Sequence, residues 1–136
     1  MKFDVHRRGL SASGSASGAS DGLVSNADPG VVVLTVLGDL DMAGAPGLRQ
    51  AVVTEVADGA RLVVLDLTAV DFVDSAGLGV VVGALRRLRA HDGELLVVCP
   101  EPRIRRVFEL CDLDRVFTLH RDVEAAVAAM DRRAPA

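Results

Sequence analysis

The sequence has no Trp and no Tyr, and its four Phe bring the aromatic content to only 3%. So few rings leave little to stack on exposed nucleic-acid bases. A core must be built from Val, Leu and Ala instead, which suits a parallel sheet covered by helices. Lysine is nearly missing as well: of 15 basic residues only Lys2 is one, a skew we attribute to genomic base composition rather than to chemistry. Positive charge is not in excess. The formal net charge of −4 argues against nucleic acid or an anionic membrane as the main partner and leaves room for a protein partner with a basic or mixed surface. The two cysteines, Cys99 and Cys111, each lie in an apolar stretch without a Cys-x-x-Cys or Cys/His neighbour. They read as buried, reduced thiols. No N-terminal apolar segment resembles a signal peptide, and no run reaches membrane-spanning length. The cytoplasm is the expected compartment.

What is present fits one domain of 136 residues, half of them hydrophobic. Residues 1–8 alternate Phe3 and Val5 with polar residues, as a short edge strand does. Residues 9–30 are Gly, Ser and Ala with little to bury, and read as a flexible loop. Residues 31–131 form the expected core, and 132–136 a disordered tail. Within the core, "VVVLTVLGDLD" reads as a strand ending at Gly38. A helix is expected over 43–57, with Pro46 tolerated in its first turn and Leu48, Val52, Val53 and Val56 as its apolar stripe. The run "RLVVLDL" reads as a central strand buried on both faces. A helix over 75–91 carries Leu78, Val81, Val82, Leu85 and Leu88 on one side, with Arg86, Arg87 and Arg89 in its last turns, where the dipole favours cations. A strand over 94–99, a helix through 110, a strand over 115–120 and a helix over 122–130 complete the chain. The order ββαβαβαβα predicts an α/β fold: a mostly parallel or mixed sheet of about five strands with about four helices packed on it.

The chemistry concentrates at the seam "VDSAGLG", where a strand passes into a helix through the lone hydroxyl of Ser75. Three readings compete. As a nucleophile, the segment resembles a Gly-x-Ser-x-Gly elbow whose first glycine is Val73. His91, however, ends the same helix, about 20 Å or more away at about 1.5 Å per residue. His120 is the remaining candidate base, and the chain is too short for a lid. As a phosphoryl-transfer site, Asp39, Asp41, Asp66, Asp71 and Asp74 cluster near strand ends, but the late lysine of receiver domains is missing. Asp58, Asp66 and Asp71 read better as caps and solvated loop acids. As a phosphate acceptor, Ser75 lies on or beside a helix N-cap, where outward N–H groups can donate to a phosphate. A plain Ser75 cap has the same local geometry. Neither a metal nor a cofactor is expected.

The helix from Ser75 also carries Ala76, Gly79, Val80, Gly83 and Arg87 opposite its apolar stripe. Two glycines four apart each cost about 1 kcal/mol of helix propensity relative to alanine. They leave a shallow, side-chain-free face, which either packs tightly inside the domain or docks a partner's backbone.

The segments "LTVLGDLDMAGAPGLRQAV", "VVLDLTAVDFVDSAGLGVVVGALRRLRAHDGELLVV" and "IRRVFELCDLDRVFTLHRDVEAAV" together resemble the STAS-domain family, and within it the bacterial anti-sigma factor antagonists. The Asp-Ser-x-Gly-Leu-Gly and Gly-Asp-Leu-Asp segments are the specific parts. The resemblance implies a non-enzymatic module that binds an anti-sigma factor, itself a Ser/Thr kinase, and so frees a sigma factor. It implies phosphorylation at the position of Ser75, preceded by Asp74, and reversal by a PP2C-type phosphatase. Asp39 and Asp41 match the family's acid pair near the partner surface. Other roles open to such a chain are a non-cycling subunit of a lipid-transport or stressosome complex. A monomer or weak dimer is expected. One departure is the long 9–30 segment, where the family joins its first two strands by a short turn; closure entropy rises slowly with loop length, so the fold tolerates it.

Overall fold

The computed structural model describes residues 3–9 and 31–133. The 10–30 part of the expected loop and residues 134–136 of the expected tail lie outside the described residues. The first strand, β1 (Asp4–Gly9), pairs antiparallel with β2 (Val31–Leu40), with His6 opposite Thr35. After α1 (Ala45–Ala57) come β3 (Leu62–Asp66), β4 (Val70–Val73), α2 (Ser75–Ala90), β5 (Glu94–Val98), α3 (Pro102–Leu110), β6 (Leu119–His120) and α4 (Val123–Arg133). Helix α4 thus continues two residues into the segment expected as a tail.

The α/β expectation holds: the described residues form four helices and a mixed sheet of six strands in place of about five. The order is β1-β2-β3-β5-β6, parallel except at β1, and β4 pairs with β2 off this path. Strand β2 serves two partners in turn. Its first half runs beside β3, from Val31 opposite Leu62 to Thr35 opposite Asp66. Its end runs beside β4, with Gly38 opposite Val70 and Leu40 opposite Val73. The register shifts between these two pairs, and Gly38 absorbs the shift at φ 97°, a conformation glycine adopts without strain.

Alternating side chains of the central strands feed two cores. Val32, Leu34, Val36, Val63, Leu65 and Val97 face α1, α2 and α3. Val33, Val64, Leu96 and Val98 face α4 through Ala126, with Val123, Val127 and Met130 beside them. The α2 stripe Leu78, Val81, Leu85 and Leu88 is buried as its spacing predicts, and Val82 is partly so.

Four local expectations are corrected. Helix α1 starts at Ala45 rather than 43, because the Asp41 carboxylate accepts the N–H groups of Ala43 (3.0 Å) and Gly44 (2.9 Å) and holds them in a turn. The strand expected over 115–120 shrinks to Leu119–His120. Asp112 turns the chain at φ 60° into a 3-10 turn over Leu113–Arg115, and Phe117 then packs edge-on against Phe108 at 6.1 Å. The short β4 has no separate place in the expected order; its burial runs buried, exposed, exposed, buried, which breaks strict alternation. Finally, Cys99 is buried but Cys111, at the C-cap of α3, is exposed.

Helix α2 crosses the end of β2 at very short range. A Cβ built on Gly77 meets the Leu40 carbonyl oxygen, which is backbone and has nowhere to go, whereas one built on Gly83 meets nothing within 4 Å. Gly77→Ala is therefore expected to lower unfolding stability by roughly 1–3 kcal/mol, the range for overpacking. Gly83→Ala is expected to raise it by about 1 kcal/mol through helix propensity. Urea denaturation of the two variants gives opposite signs if the contact is as described.

Candidate functional site

Strand β4 ends at Val73, and Asp74 turns the chain into α2. Its backbone N–H donates to the Leu40 carbonyl (3.2 Å), which ties the turn to the end of β2. Asp74 Oδ1 accepts the Gly77 N–H (3.0 Å) and Oδ2 the Met42 N–H (3.2 Å). One carboxylate thus caps α2 and holds the β2–α1 turn against it. Asp74 is the N-cap residue, in extended conformation; Ser75 is the first residue of the helix proper. The reading of Ser75 as a plain cap is corrected on this point: its neighbour does that work.

Ser75 is exposed, and its hydroxyl makes no hydrogen bond among the described residues. The N–H groups of Ser75 and Ala76 likewise have no acceptor among them, as expected of the first turn of a helix. The hydroxyl therefore stands free beside two unsatisfied donors at the positive end of a 16-residue helix.

The other candidate residues divide into two groups. Asp39, Asp41, Asp74, Ser75 and Ala76 gather where β2 ends and α2 begins. Asp41 is engaged by the α1 turn, while the half-exposed Asp39 side chain makes no hydrogen bond or ion pair among the described residues. Gly79, Val80, Gly83 and Arg87 extend along α2, Arg87 ending about 18 Å beyond Ser75 at about 1.5 Å per residue. Gly79 and Gly83 are exposed, and a Cβ on either meets nothing within 4 Å. Tight packing within the domain, one of the two explanations for the glycine pair, is thereby overturned: both glycines stand on open surface, while Val80 between them is partly buried against the core.

Two residues that the sequence reading missed stand beside this turn. Met42, whose N–H binds Asp74, is 75% exposed, and Phe72, in β4 two residues before Asp74, is 49% exposed. The signal was a large apolar residue set among acids, in "DLDMA" and "DFVD".

The enzyme readings find little support in this geometry. His91 caps the far end of α2, with Nδ1 at 2.9 Å from the Arg87 carbonyl oxygen. His120 lies in β6, three strands across the sheet from β2, about 14 Å at the usual strand spacing. Burial lowers its pKa. Asp66 accepts from the Thr68 N–H and hydroxyl, so Asp41, Asp66 and Asp74 are all occupied in turns. The pKa of the buried Cys99 thiol is pushed up to about 11 by burial, with Arg105 pulling the other way.

The STAS domain family model matches residues 23–126. BtrV of Bordetella bronchiseptica, an anti-sigma factor antagonist by name, is 35% identical over 106 residues, covering 78% of this chain and 91% of its own. The crystal structure of an anti-sigma factor antagonist from Mycobacterium paratuberculosis superposes with a TM-score of 0.68 at 38% identity, covering 79% of this chain and 90% of that one. The Bacillus cell fate determinant SpoIIAA, solved in its phosphorylated form, gives 0.59 at 26% identity over 81% and 96% of the two chains.

Two outcomes follow from this geometry. Asp74→Ala removes the acceptor of two backbone N–H groups and is expected to cost roughly 1–2 kcal/mol, with Asp74→Asn intermediate because the amide keeps one acceptor; urea titrations check the order. A thiol reagent at neutral pH should label Cys111 alone in the folded chain and both cysteines in denaturant. Because the folded Cys99 pKa lies above its unfolded value of 9.0, its contribution to stability is intact below pH 9 and is lost as pH rises toward about 11.

Proposed function

The chain belongs to the STAS domain family, and from that premise we propose that it acts as an anti-sigma factor antagonist switched by phosphate on Ser75. In this reading it binds an anti-sigma factor that is also a Ser/Thr kinase and thereby frees a sigma factor. The kinase transfers the γ-phosphoryl group of ATP to the Ser75 oxygen, which ends the binding, and a PP2C-type phosphatase removes it by hydrolysis. The cycle runs in the cytoplasm with the chain as a monomer or weak dimer. Among the described residues no helix is long and apolar enough to cross a membrane.

The observation that carries the reading is the division of labour between Asp74 and Ser75. With the cap supplied by Asp74, the Ser75 hydroxyl is free to react, and modifying it breaks no bond of the fold. A phosphate at this position brings close to two negative charges at pH 7 and accepts the vacant N–H groups of the first turn. The fold keeps its stability while the surface beside Asp39, Met42 and Phe72 changes from a mixed acidic and apolar one to a strongly anionic one. The partner surface in this reading is Asp39, Asp41, Asp74, Ser75 and Ala76 with the open α2 face of Gly79, Val80, Gly83 and Arg87. That a structural relative has been solved phosphorylated supports the same view.

Intact mass and site mapping of the protein taken from its own cells with its bound partners should find one phosphate, on Ser75, in the unbound fraction, and a kinase-like partner on the unmodified fraction. Ser75→Ala should bind constitutively, Ser75→Glu at least tenfold more weakly. Gly79→Arg should melt like the unaltered chain, since its side chain enters open space, and lose the complex. Phosphorylation itself should leave unfolding stability unchanged or raise it by about 0.3–1 kcal/mol, the worth of an anion at a helix N-terminus. A phosphate-free chain held in a transport or scaffold complex would overturn the switch and favour a non-cycling role.

A further inference from the structure

A second charged feature sits at the carboxyl-terminal edge of the sheet. Where β5 leaves the sheet the chain enters α3 through Pro100 and Glu101, and where β6 ends at His120 it continues into Arg121. These two exits border an open groove of about 580 Å3. Pro100 and Pro102 line it together with four arginines, Arg103, Arg105, Arg106 and Arg121; Glu109 is the one carboxylate among its lining residues. The chain as a whole carries a formal charge of −4, so the groove runs against the sign of the molecule.

The arginines are not there to satisfy one another's neighbours. Among the described residues only Arg103 of the four has an acidic partner, Glu101 at 3.4 Å, and both side chains are exposed, a pair of little energetic worth. Arg105 is half-buried and fixed: one terminal nitrogen donates to the carbonyls of Cys99 (3.2 Å) and Leu119 (3.3 Å), bridging the ends of β5 and β6. Its remaining N–H groups have no acceptor among the described residues. Arg106 and Arg121 are exposed and make no hydrogen bond or ion pair among them.

The backbone shows which class of anion is suited. A compact phosphate site at a helix start relies on bare N–H groups. At α3 those groups are spent internally. Pro102 has none, Arg103 donates to the Glu101 carboxylate, and Ile104 and Arg105 donate to the Glu101 carbonyl. What remains is a set of guanidiniums distributed along one turn of α3 and across to Arg121, above a floor of proline rings and arginine stems. That arrangement fits carboxylates spaced along a chain, with apolar atoms between them, better than one concentrated charge.

We infer that this groove docks an acidic segment of a partner protein, with its carboxylates on Arg105, Arg106 and Arg121. The groove opens on the same edge of the sheet as Ser75, and α3 is in contact with β4, the strand that leads into Asp74. A partner seated at the Ser75 turn therefore reaches the groove without crossing the molecule. The inference takes from the preceding reading only that a protein partner docks at this edge; phosphorylation of Ser75 is not required.

A fluorescein-labelled hexaglutamate peptide titrated with the full-length chain, read by fluorescence anisotropy, tests it. Saturable binding is expected that weakens by about tenfold or more as salt is raised from about 0.05 to 0.3 M. The double variant Arg106→Glu/Arg121→Glu alters exposed, unpartnered side chains and should melt normally but lose at least tenfold in peptide affinity. Gly79→Arg should bind the peptide as the unaltered chain does, which separates this site from the α2 face: loss of the protein complex with peptide binding intact faults neither. Backbone amide shifts at residues 105, 106 and 121 should move on titration. The inference is overturned if the peptide does not saturate, if the double variant binds it equally well, or if inorganic tripolyphosphate displaces it at concentrations well below its own, which would mark a small-anion site.

Discussion

Three elements of this fold meet at the carbonyl of Leu40 and the carboxylate of Asp74. Asp74 donates its N–H to that carbonyl, and α2 approaches the same oxygen so closely that position 77 has room only for a hydrogen in place of a side chain. The carboxylate then binds Gly77 in the helix and Met42 in the β2–α1 turn. Without this tie, β4 would have no fixed exit, α2 no fixed origin, and the turn carrying Asp41 and Met42 no reason to lie beside Ser75. Each bond is worth only about 1 kcal/mol net, yet together they set where Met42, Asp74 and Ser75 lie relative to one another.

The offset of one residue between cap and hydroxyl decides what a modification at Ser75 does. Had the serine been the N-cap, its oxygen would accept a helix N–H, and a phosphate on it would have to replace a bond on which the fold relies. Placed one position later, the oxygen is free of structural duty. Whatever is added there acts on the surface and leaves the scaffold alone. This is the physical content of a switch in binding rather than in folding, and it follows from the geometry of a single helical turn.

Much of the architecture was legible because its signals are periodic. The stripe from Leu78 to Leu88 spans three turns, and "RLVVLDL" is a short, Val-rich and nearly continuous apolar run, as a strand covered on both faces requires. What escaped was short or depended on distant parts. Strand β4 has four residues and pairs at a bulge of β2, so its burial does not alternate. The start of α1 was set by a side chain two residues outside the expected helix, Asp41. At the candidate site the sequence singled out Asp74 and Ser75 but left open which of them caps the helix. Choosing between them requires knowing which oxygen reaches the Gly77 N–H. The openness of Gly79 and Gly83 was equally out of reach, because a small-residue stripe reads the same whether something covers it or not.

The same edge of the sheet thus carries two surfaces of opposite character. Around Ser75 lie Asp39, Asp41 and Asp74 with the exposed Met42 and Phe72; around Pro100 lie arginines with few acidic partners. Charge patterns of this kind do more for orientation than for affinity, since a partner bound the wrong way round sets like charges together. On the proposed reading, a partner turned correctly presents a basic or mixed surface to the serine and an acidic segment to the arginines. A phosphate on Ser75 deepens the negative side alone. The arginine groove keeps its guanidiniums whatever is added at Ser75, and salt screens the exposed charges of the two surfaces from one another. The modified chain then loses one half of a two-part contact rather than all of it, and how sharply binding falls on phosphorylation depends on how much of the total the groove supplies.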